Sequence, residues 1–159
     1  MIRVRPADWR DRTAVLTLRA LLLGPYRLDG GLYEWLTWPT FHVLLAEAEE
    51  GQVVGITAAT LLPGAHAEDG GVAVLAARRR TKLGTRLRAA MARDLGLLGV
   101  RSWAADQADT DSDALAFQLS TFGPCTHRFR APDGNTYWAW RLSVDRVTEA
   151  LGAGPVTRV

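Results

Sequence analysis

Residues 74 to 87 read Val74-Leu75-Ala76-Ala77-Arg78-Arg79-Arg80-Thr81-Lys82-Leu83-Gly84-Thr85-Arg86-Leu87. The apolar end of a strand passes into a short basic loop, and the loop into a helix whose first turn holds Gly84. The first N–H groups of a helix have no partner within it, and the helix dipole adds partial positive charge at the same place. Arginines on the approach reinforce that charge, and a glycine in the first turn lets a ligand come close to the backbone. The combination suits a pyrophosphate. The phosphate loop GxxxxGK[ST] is absent, and a single glycine cannot make the dinucleotide fingerprint GxGxxG.

C-terminal to this segment, Leu83, Leu87, Met91, Leu95 and Leu98 recur at steps of three and four, with Arg86, Arg88 and Arg93 elsewhere on the wheel. That spacing predicts an amphipathic helix, which Gly99 ends. Ser102 to Ala105 reads as a buried strand, and Asp111 or Ser112 as the cap of a helix running through Phe122. Cys125–Arg130 and Thr136–Leu142 read as strands joined by the turn Pro132-Asp133-Gly134-Asn135. N-terminal to it, Gly71–Leu75 is a strand, and Phe41–Glu49 and Val53–Leu62 form a hairpin around Glu50-Gly51. A strand at Ile2–Arg5, a helix capped by Asp8 and stopped near Leu23 by Gly24-Pro25, and a short helix at Leu32–Leu36 open the chain. The order is β-α-α-β-β-β-α-β-α-β-β. Hairpins at both ends and β-α-β in the middle imply an α/β architecture with a mixed sheet and helices on its faces.

The 159 residues, 48% hydrophobic and 23% charged, suit one globular domain. We expect it to span residues 1–151, with 152–159 as a flexible tail. No apolar run is long enough to cross a bilayer, the first residues lack the apolar core of a signal peptide, and the single cysteine excludes an intrachain disulfide. A cytoplasmic protein with no membrane partner is expected. The net charge of +2 excludes a uniformly basic nucleic-acid coat. Lys82 is the one lysine, a bias that a GC-rich coding sequence explains. His42, His66 and His127 lack metal-ligand spacing, so no metal is expected. Cys125 and His127 lack a third orienting group, so Cys125 reads as structural rather than nucleophilic.

Arg79-x-x-Lys82-x-Gly84 resembles motif A of the GCN5-related N-acetyltransferases (GNAT), which reads Arg/Gln-x-x-Gly-x-Gly/Ala. Val74 stands five residues before the arginine and Leu87 three after the last glycine, as in that family. The element order is similar too, from Ile2 to about Leu142. The resemblance implies the GNAT acyl-CoA N-acyltransferase fold. It also implies direct transfer of an acetyl group from acetyl-CoA to a primary amine, on a small molecule or a protein. By the same resemblance, the pantetheine arm pairs with the strand backbone at Val72, Ala73 and Val74. The pyrophosphate sits on Arg79, Arg80, Thr81, Lys82, Leu83, Gly84 and Thr85. The family often carries a carboxylate base on the strand before the loop, and Glu68 is the candidate there, beside Asp69 and His66. Asp106, at the end of the next strand, is a second. The plain alternative for Glu68 is a solvated turn after Pro63-Gly64. Family members are often dimeric, so a homodimer is a possible assembly.

The sequence departs from the family twice. Lys82 replaces the first motif glycine, which costs little if its φ is negative. Leu119 stands where family members often carry a tyrosine that protonates the departing thiolate, and Gln118 beside it is the remaining polar group for the cofactor. A thiol with a pKa of about 8.5 can also take its proton from solvent. Two rival classes follow: a non-catalytic acyl-CoA-binding protein of this fold, and a nucleic-acid-binding domain using the six positive residues of Arg78–Arg88. That run has no interleaved aromatics for base stacking, which makes nucleic acid the weaker rival. Tyr26, Tyr33, Trp35, Trp38 and Phe41 read either as core or as an aromatic wall of an acceptor pocket. Trp138 and Trp140 lie on one face of the last strand, with Tyr137 on the other. The acidic run Asp106–Asp113 reads as a solvated loop and helix cap.

Overall fold

Strand β2 (Phe41–Glu47) is apolar on both faces. Val43 and Leu45 enter one core with Val15, Leu18, Trp35, Ile56 and Ala58, while Leu44 and Ala46 enter two clusters on the opposite side. A strand buried on both faces needs helices above and below it, and the rest of the chain supplies them. The computed structural model describes residues 1–23, 31–79 and 81–152. Gly24-Pro25, Tyr26, Arg80 and the tail from residue 153 onward lie outside the described residues.

The remaining strands are β1 (Arg3–Pro6), β3 (Val53–Leu62), β4 (His66–Val74), β5 (Ser102–Ala108), β6 (His127–Arg130) and β7 (Thr136–Ser143). They form a seven-stranded sheet of order β1-β2-β3-β4-β5-β7-β6, in which β4–β5 is the parallel pair and every other pair is antiparallel. Helices α1 (Arg12–Leu23) and α2 (Leu32–Thr37) pack on one face. Helices α3 (Leu83–Leu97), α4 (Ser112–Phe122) and α5 (Val144–Ala150) bring Met91, Leu95, Phe122, Val144 and Val147 to the other, around Trp103 and Trp140.

The mixed-sheet expectation holds element by element, with differences at the ends. β4 begins at His66, not Gly71. The Pro63-Gly64 turn is tight, with Gly64 and Ala65 both left-handed, so Leu62 pairs directly with His66 and the strand restarts at once. Glu68 is therefore on a strand rather than in a solvated turn. β2 stops at Glu47 because Glu50 and Gly51 take positive φ in the turn that follows. Helix α5 was not anticipated. Its signal is brief: Ser143 caps it, and Val144 and Val147 are its buried contacts. No described helix is long and apolar enough to cross a membrane.

The start of α1 is tied to the sheet edge. Asp8 and Asp11 form a reciprocal capping box around a 3-10 turn. Arg5 donates to Asp11 Oδ1 and Oδ2 at 2.8 and 2.9 Å and to Glu47 Oε2 at 2.7 Å. Arg5 holds the Asp11 carboxyl below its ordinary value, and Arg3, which donates to Glu47 Oε2 at 2.7 Å, lowers that of Glu47 together with Arg5. A depressed carboxylate contributes stability at neutral pH and loses it as pH falls through the lowered value. Arg5→Ala is expected to cost about 1 kcal/mol at pH 7, within the range of partly exposed pairs. That deficit should shrink toward pH 2; thermal unfolding at both pH values checks it, and an equal loss at both would refute the linkage.

Candidate functional site

Parallel strands normally pair along their length. Here β4 and β5 share three pairs, His66↔Ser102, Ala67↔Trp103 and Glu68↔Ala104, and then separate. β4 continues to Val74 bonded to β3, and β5 to Ala108 bonded to β7. From Asp69 and Ala105 onward, the two strands make no further ladder pair with each other among the described residues. Backbone groups on an unpaired edge require a partner from water or a ligand. A slot of this kind suits an extended chain that carries its own amides.

A bulge sits where the slot opens. Thr57 pairs with Val72 and Ala59 with Asp69, so Gly70 and Gly71 together oppose Ala58. Gly71 has φ +92, and a Cβ on Gly70 would lie 2.9 Å from the Ala58 carbonyl oxygen, so both positions require glycine. Thr57 Oγ1 donates to the Gly71 carbonyl at 2.8 Å, and Asp69 Oδ1 accepts from the Gly71 N–H at 3.1 Å. Beyond the bulge, Ala73 is buried against the α1 face, and Val72 and Val74 pack on the α3 side.

The chain leaves β4 through a 3-10 turn at Ala76–Arg78. Arg79 Nε reaches back to the Val74 carbonyl at 3.4 Å, and Thr81 Oγ1 donates to the Arg78 carbonyl at 2.5 Å. Leu83 and Leu87 anchor the first turns of α3 in the core, so Leu83 presents only its backbone outward. Thr85 is half-buried in the same turn. The N-cap residue Lys82 makes no side-chain capping bond to the first-turn amides. Lys82 does not meet the condition of a negative φ: at φ 61, ψ 15 it is left-handed. A Cβ on Gly84 would lie 3.2 Å from Phe117 Cε2, so this glycine makes room for the α4 ring rather than for open space.

Underneath lies a buried cluster that the sequence reading did not assemble. Arg88, placed off the apolar stripe by that reading, is 1% exposed. Its Nη2 donates to Asp69 Oδ2 at 3.1 Å, and its Nη1 to Gln118 Oε1 and, at 3.4 Å, to Thr121 Oγ1. The guanidinium lies 3.9 Å from the Phe122 ring centroid and 4.9 Å from that of Phe117. Its Nε has no hydrogen-bond partner among the described residues. Burial lowers the Arg88 pKa and the Asp69 charge opposes that shift. Gln118, expected at the cofactor, is turned inward onto Arg88. A usable signal was present: Arg88 stands three, four and seven residues before Met91, Ala92 and Leu95, all buried.

The two candidate bases differ. Asp106 accepts from Arg141 Nη1 at 2.8 Å. Glu68 is exposed and has no ion-pair or hydrogen-bond partner among the described residues. The register sets Phe41, Thr60, Glu68, Ala104 and Arg141 in one row across the sheet, on the α1 and α2 face. Trp35 and Trp38 stack on Phe41 at 6.2 and 6.3 Å. Trp35 is core and Trp38 is exposed. The basic run Arg78–Arg88 is not one surface, since Arg88 points inward and Arg86 bonds the Ile2 carbonyl at 3.1 Å. Cys125 packs against the main core. Among the described residues, no three His, Cys, Asp or Glu side chains come together as a metal site.

A model of the acetyltransferase (GNAT) family matches residues 8–123. Among solved structures, the ribosomal-protein-S18-alanine N-acetyltransferase of Escherichia coli superposes with a TM-score of 0.71 at 14% identity, over 91% of this chain and 94% of that one. A Salmonella typhimurium protein solved with its cofactor acetyl-CoA gives 0.69 at 18%, over 91% and 95%. An aminoglycoside 6'-N-acetyltransferase complexed with coenzyme A gives 0.68 at 13%, over 89% and 97%. At these identities the likeness is one of fold. No curated protein matches the chain.

The left-handed Lys82 carries a cost of about 1–2 kcal/mol that glycine escapes, offset in part by glycine's freedom in the unfolded chain. Lys82→Gly is therefore expected to raise stability by about 1 kcal/mol, roughly 2–4 °C in Tm. A lower Tm would show that the lysine side chain contributes more than its backbone costs.

Proposed function

The chain belongs to the acetyltransferase (GNAT) family, and from that premise we propose that it moves the acetyl group of acetyl-CoA directly to a primary amine, on a small molecule or a protein. The observation that carries this reading is the β4–β5 ladder, which ends at Glu68↔Ala104 while β4 runs on to a basic loop and the start of α3. The same strand thus offers an edge unpaired with β5 for an amide-bearing arm and, at its end, the first-turn amides of a helix for phosphate. Acetyl-CoA has both parts in that order. Val72, Ala73 and Val74 would hold the pantetheine arm by their backbones. Arg79, Thr81, Lys82, Gly84 and Thr85, with the backbone of Leu83, would hold the pyrophosphate, and Arg80 belongs to the same loop by sequence. When bound, the thioester supplies an activated acyl group with a good leaving group.

The protein's share of the chemistry is orientation and proton management. Holding two reactants in line removes several kcal/mol of barrier. The attacking amine must be neutral, and Glu68 is the acid-side residue free to take its proton, directly or through water. Asp106 is engaged by Arg141 and is better suited to shaping the local charge. Leu119 cannot donate a proton, so the thiolate leaves to solvent. Residues 1–151 would act as one domain, in the cytoplasm, without a metal.

Calorimetric titration with acetyl-CoA tests the reading first. Micromolar affinity, about −8 kcal/mol, is expected. No heat at millimolar ligand would remove the donor site. If binding occurs but no amine in a broad panel releases CoA thiol, the protein binds without turnover. With an acceptor in hand, Glu68→Gln should lower kcat/KM by about 100-fold and alter the pH–rate profile. An unchanged profile would clear Glu68 of the base's role.

A further inference from the structure

We infer that Arg88 and Asp69 form a positioning pair that fixes the bulge at the mouth of the β4–β5 slot, and so sets where the Val72–Val74 backbone meets the acyl donor. This rests on the acetyl-CoA reading of that slot. One guanidinium touches three elements: its own helix α3, the bulge of β4 through Asp69, and α4 through Gln118 and Thr121. Asp69 uses its second oxygen on the Gly71 N–H, so a single carboxylate joins the bulge's own turn to the helix pair beneath. The tie falls at the first residue after the last β4–β5 pair. With Gly70 and Gly71 the backbone there has unusual freedom, and something outside the strand has to choose its path. Arg88 does so from a site walled by Phe117, Phe122 and Trp103.

A buried ion pair is not needed for stability: removal of one partner leaves a stranded charge, while uncharged replacement of both does not. That difference separates positioning from structure. Arg88→Met or Asp69→Asn alone should lower Tm. The double variant should recover most of it, yet bind acetyl-CoA about 10- to 100-fold more weakly than wild type. In the ligand-free double variant, amide hydrogen exchange at Val72–Val74 should speed about tenfold, with α5 amides unchanged. Arg88→Lys keeps a charge facing Asp69 but lacks the second arm that reaches α4, and should show the same weaker binding. A double variant with wild-type affinity and wild-type exchange at Val72–Val74 would overturn the inference. If wild type itself fails to bind acetyl-CoA, the functional reading falls. The exchange measurement then still decides whether the pair holds the bulge.

Discussion

A strand inside a sheet has two hydrogen-bonding edges, and β4 must satisfy one while leaving the other open. The rest of the structure follows from that requirement. The β3 edge is bonded down to Val74, which keeps β4 straight enough to deliver the basic loop to the start of α3. The β5 edge is bonded for three residues only. A free edge in the middle of a sheet is costly unless something replaces the missing partner. Helices α3 and α4, which leave the ends of the two diverging strands, pack below the gap. Their facing residues are large or charged: Phe117, Phe122, Gln118 and Arg88. Gly84 is small because Phe117 occupies the space a side chain would take.

The choice of an ion pair for this gap has a physical consequence. Desolvation opposes the Arg88 charge, but arginine does not give up its proton in proteins. The charge therefore stays and must be answered. Asp69 answers it with a carboxylate 4% exposed, and the Phe122 ring face adds a cation–π contact at 3.9 Å. Hydrophobic side chains could fill the same volume, but they cannot fix the direction of a carboxylate. Here that direction determines where the Gly71 N–H points, and with it the path of the backbone that follows.

Most of the fold was legible because its signals are local and periodic. The stripe Leu83, Leu87, Met91 and Leu95, the Pro132–Asn135 turn and the Asp111 cap each act within a few residues and are found where expected, while Leu98 lies past the helix and is exposed. What was missed needs contacts remote in sequence. Asp69 and Arg88 are nineteen residues apart and Arg88 and Gln118 thirty, so no window around any one of them shows the cluster. The β4 start was misplaced because Pro63-Gly64 reads equally as a loop or a tight hairpin. The phosphate-loop residues were picked out by motif. Their backbone angles were not, and Lys82 proved left-handed. Gln118 was read as a cofactor contact, and helix position alone does not say that its amide meets Arg88.

Glu68 and Asp69 show how a sheet divides chemically similar residues. Successive side chains on a strand point to opposite faces. Asp69 faces α3 and is consumed by Arg88 and Gly71. Glu68 faces the α1 and α2 side, in the row that contains Thr60 and Phe41, with Trp38 stacked beyond. The bulge begins after Glu68, so this carboxylate keeps the regular register while the backbone beyond it departs. One residue is thus the last ordered point of the ladder and the next is the pivot of the slot. A base is most useful where the acceptor's nitrogen can approach the donor's carbonyl without crossing the sheet. Of the three carboxylates at the slot, Asp69 is buried and Asp106 is held by Arg141, while Glu68 is exposed and unpaired among the described residues.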